Sequence, residues 1–125
     1  MAKRPTAGNQ FHLVAFDRRT EVADDYGNTV GQWAEQFQTR AEYVHKSGSE
    51  TVIAARLQGR HTQIIRVRAS AAARAVTTDW RVRDVRNGQF IDGEWRGTEF
   101  NIRYIMPDEE GRQWLDFHVE KGVVV

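Results

Sequence analysis

The stretch Phe16–Tyr43, FDRRTEVADDYGNTVGQWAEQFQTRAEY, decides how the chain is read. In its second half Trp33, Phe37, Ala41 and Tyr43 fall on one parity, while Gln32, Gln36, Gln38, Arg40 and Glu42 fall on the other. Side chains alternate across a strand, so this period of two predicts a long strand whose odd-numbered side faces inward. Asp24-Asp25 followed by Tyr26-Gly27-Asn28 is a turn sequence, because Asp and Asn bond their own backbone and Gly accepts φ > 0. The run before it, FHLVAFD, sets Phe11, Leu13 and Ala15 on one side and His12, Val14 and Phe16 on the other, which predicts a strand covered on both faces. The stretch is therefore a hairpin.

The same alternation recurs along the chain. TQIIRVRAS carries Ile65 and Val67, DWRVRDV carries Trp80 and Val82, TEFNIRYIM carries Phe100, Ile102 and Tyr104, and RQWLDFHVE carries Leu115, Phe117 and Val119. About six strands result. The exception is KSGSETVIAARLQG, where Ser47 precedes Glu50 at capping-box spacing and Gly59 follows Leu57 as a C-cap, predicting a short helix inside a long loop. ASAAARAVTTD, four small residues around Arg74, and RNGQFIDGEWRG, with turn dipeptides Asn87-Gly88 and Asp92-Gly93, read as connections or an inserted hairpin. The expected architecture is all-β: a small β-barrel of about six strands with one short helix in a long loop, closure hiding the strand edges. Residues 1–10 read as an N-terminal arm, 11–120 as the barrel domain and 121–125 as a C-terminal tail. Trp33, Trp80, Trp95 and Trp114 are expected to fill the core.

A chain of 125 residues is one domain with a proper core. It has no cysteine, so neither disulfides nor thiolate chemistry enters. The net charge is +1, with 18 basic and 17 acidic residues, so no global field attracts nucleic acid. Fifteen of the 18 basic residues are arginine, whose planar fork suits ordered protein interfaces. No apolar run approaches the roughly 18–20 residues that span a bilayer, and MAKRPTAGNQ lacks a secretory core; the expectation is a soluble protein made in the cytoplasm.

Candidate chemistry is sparse. His12, His45, His61 and His118 follow no metal-ligand spacing, and His118 reads as a surface imidazole. Asp24-Asp25 and Asp108-Glu109-Glu110 sit beside turn residues, where water keeps carboxylates ordinary. There is no phosphate-cradling glycine loop and no nucleophile elbow. No catalytic residue, metal or cofactor is assigned. Arg66, Arg68, Arg81 and Arg83 lie on strand faces near aromatics. They form a solvated sheet face or an arginine-rich protein interface, or else a strip for nucleic acid on a small OB-like barrel, with Asp79, Asp84 and Glu99 placed to interleave opposite charge.

Taken in order, these segments resemble a known family. The acidic turn with Trp33, the Ser47-Gly48-Ser49-Glu50 loop, Ala54, Ala55, Gln58, Thr62, then Ile65-Arg66-Val67-Arg68, Trp80-Arg81-Val82 and Phe100-Asn101-Ile102 are similar to the phage head–tail joining proteins, the head-closure or stopper family of long-tailed bacteriophages. The likeness runs from about Phe11 to Glu120, and RNGQFIDGEWRG is longer than the family's usual hairpin. The resemblance implies a non-enzymatic barrel that assembles as a homo-oligomeric ring below the portal and adaptor, closes the DNA-filled head and offers a tail-attachment platform. It would be a virion component at the head–tail interface, made in the host cytoplasm. Implied partners are adaptor and portal proteins and the tail terminator or tail tube, close to packaged double-stranded DNA and away from membranes. It also implies a channel-facing loop of Ser47, Gly48, Ser49, Glu50, Thr51, Val52, Ile53, Arg56 and Gln58, and a docking hairpin at Asp24, Asp25, Tyr26, Gly27 and Asn28.

Overall fold

The computed structural model describes residues 10–44, 62–107 and 113–121. Six antiparallel strands close into one barrel: β1 (His12–Ala23), β2 (Thr29–Val44), β3 (Thr62–Arg68), β4 (Arg81–Ile91), β5 (Glu94–Pro107) and β6 (Trp114–Lys121). Their order around the ring is β1-β2-β3-β6-β5-β4, and β1 meets β4 to close it. Every strand foreseen from alternation is present. The first hairpin extends further towards its turn than the pattern showed, because Thr20, Glu21 and Thr29 are not apolar on either face yet pair all the same.

The interior is filled from all six strands. Val14 and Phe16, Ala41, Ile65 and Val67, Val82, Phe100 and Ile102, and Leu115, Phe117 and Val119 form one buried cluster. Phe16 stacks on Phe37 at 4.9 Å and meets Phe117, tilted, at the same distance. Each such side chain contributes about 1.5–3 kcal/mol when fully removed from water. Both faces of β1 are covered as expected, since Ala15 and Asp17 are as buried as Val14 and Phe16.

Among the described residues a short helix stands where a connection was foreseen. The segment read as a capped helix, Ser47–Gly59, lies outside the described residues, whereas the stretch read as a connection forms α1 (Ala71–Arg74). Ser70 caps it, its Oγ accepting from Ala73 N at 3.0 Å. A single turn is too short to display a 3.6-residue period, so only the cap and the alanines signal it. Ala73, Val76 and Trp80 join the core, so this segment plugs the barrel end between β3 and β4.

Two bulges reverse side-chain direction and correct the inward assignments. Phe16 pairs with Phe37 but Asp17 pairs with Glu35, leaving Gln36 as an extra residue in β2. Ahead of it the parity is inverted. Trp33, expected in the core, therefore lies on the outer face with Glu35. In the same way Ile102 pairs with Val119 but Tyr104 pairs with His118, so Arg103 is extra and Tyr104 turns outward while Ile105 packs on the core. Tyr104 stacks on His118 at 4.1 Å, which is why that outer-face histidine is only 9% exposed. Of the four tryptophans, Trp80 and Trp114 are buried, and Trp33 and Trp95 are half-buried on the outside.

Candidate functional site

The outer face over β1 and β4 is the most elaborated surface of the described residues. In β4 the register jumps between Arg83, opposite Glu99, and Gly88, opposite Gly97, so the four residues 84–87 stand against Thr98 alone, an excess of three, and the strand bends. The remaining hairpin ends in Asp92 at φ 51° and Gly93 at φ 80°, a two-residue type I′ turn of the kind Asp-Gly favours. Gly88 and Gly97 face each other closely. A Cβ on Gly97 would come within 2.4 Å of Gly88 Cα, and one on Gly88 within 2.4 Å of the Trp95 ring, so neither position tolerates a side chain.

The bent hairpin lays Phe90 and Trp95 over Arg83, whose guanidinium carbon is 4.7 Å from the first ring centre and 4.9 Å from the second. Beneath them Arg83 grips Asp17 with two bonds, Nε to Oδ2 at 2.6 Å and Nη2 to Oδ1 at 3.0 Å, and donates to Glu35 at 2.7 Å. Arg81 Nε donates to the same Asp17 Oδ2 at 2.6 Å, its Nη1 reaches Glu99 at 3.0 Å, and its guanidinium lies 4.8 Å from the Trp33 ring. Asp17 and Arg83 are each 2% exposed at the side chain. Burial opposes the charge on Arg83, but the Asp17 carboxylate and then Glu35 outweigh it and hold the guanidinium above its ordinary value.

Between this network and the first hairpin lies a cleft of about 440 Å³, bounded by Gly31, Gln32, Trp33 and Glu35 on one side and Phe90, Gly93, Glu94 and Trp95 on the other. Its floor is Asp17, Arg81 and Arg83. Sequence reading missed Asp17, Glu35, Phe90, Trp95 and Glu94 as members of one site. The opposite charges on neighbouring strand faces were the available signal, but the bend that folds the hairpin over them was not.

The four arginines are divided by the fold. Arg66 forms a fork–fork pair with Asp116 at 2.8 and 3.0 Å, and the Asp116 bond, partly opposed by burial, raises its pKa. Arg81 and Arg83 belong to the network above, where Glu99 supplies opposite charge to Arg81, whereas Asp84 bonds Tyr43 and Asn87 and Asp79 accepts from Thr77. Arg68 alone among the four is exposed. The turn at Asp24–Asn28 is a true hairpin tip: Asp24 Oδ1 accepts from Tyr26 N at 2.9 Å and Asn28 N at 2.8 Å, with Gly27 at φ 80° and Tyr26 90% exposed. The loop Ser47–Gln58 lies outside the described residues.

At one mouth of the barrel Tyr43 donates to Asp84 Oδ2 at 2.9 Å, Asn87 donates to the same oxygen at 2.7 Å, and His12 stacks on the Tyr43 ring at 3.7 Å. Burial, then the Asp84 bond, pushes the Tyr43 phenol well above its ordinary range. Among the described residues no group of three or more His, Asp or Glu is arranged to hold a metal. No helix among them is long and apolar enough to cross a membrane.

A sequence profile described as phage head completion protein matches residues 5–122. Two solved structures resemble the fold. One is a chain from the virion of a native gene transfer agent particle, 22% identical, with a TM-score of 0.62 over 98% of this chain and 100% of that one. The other is a protein of Shigella flexneri 2a determined in solution, 17% identical, with a TM-score of 0.65 over 97% of this chain and 100% of that one. At these identities the likeness is one of fold. No curated protein sequence matches the chain.

Proposed function

The chain belongs to the phage head completion protein family, and from that premise we propose that it is a structural subunit of the head–tail connector, without turnover. In this reading copies form a ring below the portal and adaptor, close the DNA-filled head and present the platform to which the tail attaches. The family match across residues 5–122 carries the proposal.

The physical character of the barrel agrees with it. A subunit beside packaged DNA must resist clinging to phosphate, and log affinity for DNA rises with each unpaired cation. Here Arg66, Arg81 and Arg83 face carboxylates at 2.6–3.0 Å. A closed barrel leaves few open edges, and two hairpins extended from it offer shaped surface for neighbours. Adaptor and tail proteins are the proposed partners, with the Asp24–Asn28 tip as a docking edge and the Ser47–Gln58 loop facing the channel.

Electron microscopy of lysates from the parent phage with this gene deleted tests the reading. Tailless heads beside free tails, with DNA lost or leaking, are expected; normal tailed particles would overturn it.

A further inference from the structure

We propose that the first hairpin pairs edge to edge with the same hairpin of neighbouring copies, β2 of one copy lying antiparallel beside β1 of the next. The assembled hairpins then form one continuous sheet around the ring. The inference rests on the ring reading, since it needs a neighbour on each side.

Its ground is a pair of open strand edges. β4 pairs with β1 only over Val14–Asp17, and β3 pairs with β2 only over Ala41–Val44. Beyond those limits β1 and β2 continue together as a two-stranded ribbon, from Arg18 opposite Ala34 to Ala23 opposite Thr29, six residues on each strand. Among the described residues no strand pairs with the outer edge of either half of this ribbon. The second hairpin lies across the cleft and pairs only within itself. Alternate N–H and C=O groups therefore point sideways from both strands. A ribbon of two strands is marginal in water, and further strands are what secure it. Nor is it guarded against pairing: Arg18–Ala34 holds no proline and no lysine, and the bulge at Gln36 lies below it.

Geometry selects the occupant. The two open edges lie on opposite sides of one ribbon, so they cannot satisfy each other within a chain. Joining like edges, β1 to β1 or β2 to β2, makes a closed pair and leaves the other edge of each hairpin open. Joining unlike edges satisfies both and repeats from copy to copy, as a ring requires. The edges match in length, and because the strands of a hairpin are antiparallel, hairpins standing side by side with their tips together bring unlike edges into antiparallel register. Side chains permit it: Thr29–Ala34 is uncharged, so Arg18, Arg19 and Glu21 of the neighbour meet no like charge there. In register, each new contact repeats one already present inside the hairpin, Arg19 beside Trp33 and Thr20 beside Gln32. Each junction gains about six main-chain hydrogen bonds.

The absence of cysteine gives a direct readout. Thr20 lies opposite Gln32, and Arg18 and Val22 share its face by alternation. Phage lacking the gene are complemented with two alleles at once, Gln32→Cys together with Arg18→Cys, Thr20→Cys or Val22→Cys, circular dichroism confirming that each purified variant is folded. Purified particles are mildly oxidised and their proteins separated without reductant. Adjacent strands lie about 4.8 Å apart, within reach of a disulfide, whereas identical residues of neighbouring copies would be two strands or about 9.6 Å apart, beyond its limit of about 7 Å. Mixed particles should therefore yield crosslinked dimers with at least one of the three β1 alleles, and particles holding any single allele should yield none. Dimers from a single allele would mean that like edges pair and would overturn the proposal. So would particles that contain the chain but give no mixed dimer with any of the three alleles, a result that leaves the ring reading standing. Tailed particles in which mass spectrometry finds none of the chain would remove the ring reading, and the proposal with it.

Discussion

Replacing Asp17 by Asn tests whether the bent hairpin seals an ion network. The amide keeps the volume of the carboxylate but loses its charge. In the structure Asp17 accepts three bonds, from Arg81 Nε and Arg83 Nε at 2.6 Å and from Arg83 Nη2 at 3.0 Å. After the change Arg81 keeps Glu99, 39% exposed, and Arg83 keeps Glu35, 43% exposed, so each retains a wet partner and Arg83 stays buried under Phe90 and Trp95. Stranding a buried charge in this way costs about 3–5 kcal/mol. For a domain of this length that corresponds to a fall in Tm of roughly 10–20 °C. Thermal and urea unfolding followed by circular dichroism measure both. In the double variant Asp17→Asn/Arg83→Met the buried guanidinium goes too, and the loss should be smaller than the sum of the single losses by about 2 kcal/mol. A loss below about 1 kcal/mol for Asp17→Asn, abolished by salt, would mean the pair is solvated like a surface bridge and the hairpin does not cover it.

Phe100→Ala, which empties a core position 4% exposed, should cost about 3–5 kcal/mol, whereas Trp33→Ala on the outer face should cost clearly less; equal losses in urea unfolding would contradict the bulge at Gln36. Gly97→Ala drives a methyl into the backbone of Asn87 and Gly88, so it should destabilise by about 1–3 kcal/mol. It should also shift the indole Nε1–H resonance of Trp95, which donates to the Thr98 carbonyl at 3.1 Å; an unmoved resonance would refute the close approach. The folded state holds the Tyr43 proton more tightly than the unfolded chain, so its contribution is complete below the ordinary pKa of 10.0 and is lost as pH rises above that. Between pH 10 and 11 the parent protein should lose up to about 1 kcal/mol more than Tyr43→Phe, less where water screens the half-buried ring; parallel losses would refute the burial.

The sequence by itself determined the strands, because a barrel buries one face of each and writes that as alternation. Ile65 and Val67, Val82, Phe100 and Ile102, and Leu115, Phe117 and Val119 all point inward as their parity demands. It also determined the hairpin tips: Asp24 and Gly27 in one, and Asp92-Gly93 in the other, act through local backbone chemistry that needs no distant partner. The tertiary structure alone decided where that alternation breaks. A bulge is defined by two strands together, so Gln36 and Arg103 look unexceptional in sequence although they turn Trp33 and Tyr104 outward. The bend of residues 84–87, set by the register of β4 on both β1 and β5, is likewise invisible along the chain. Because Asp17, Glu35 and Arg83 meet only through these pairings, the cleft and its buried charges are properties of strand register, while the barrel is a property of pattern.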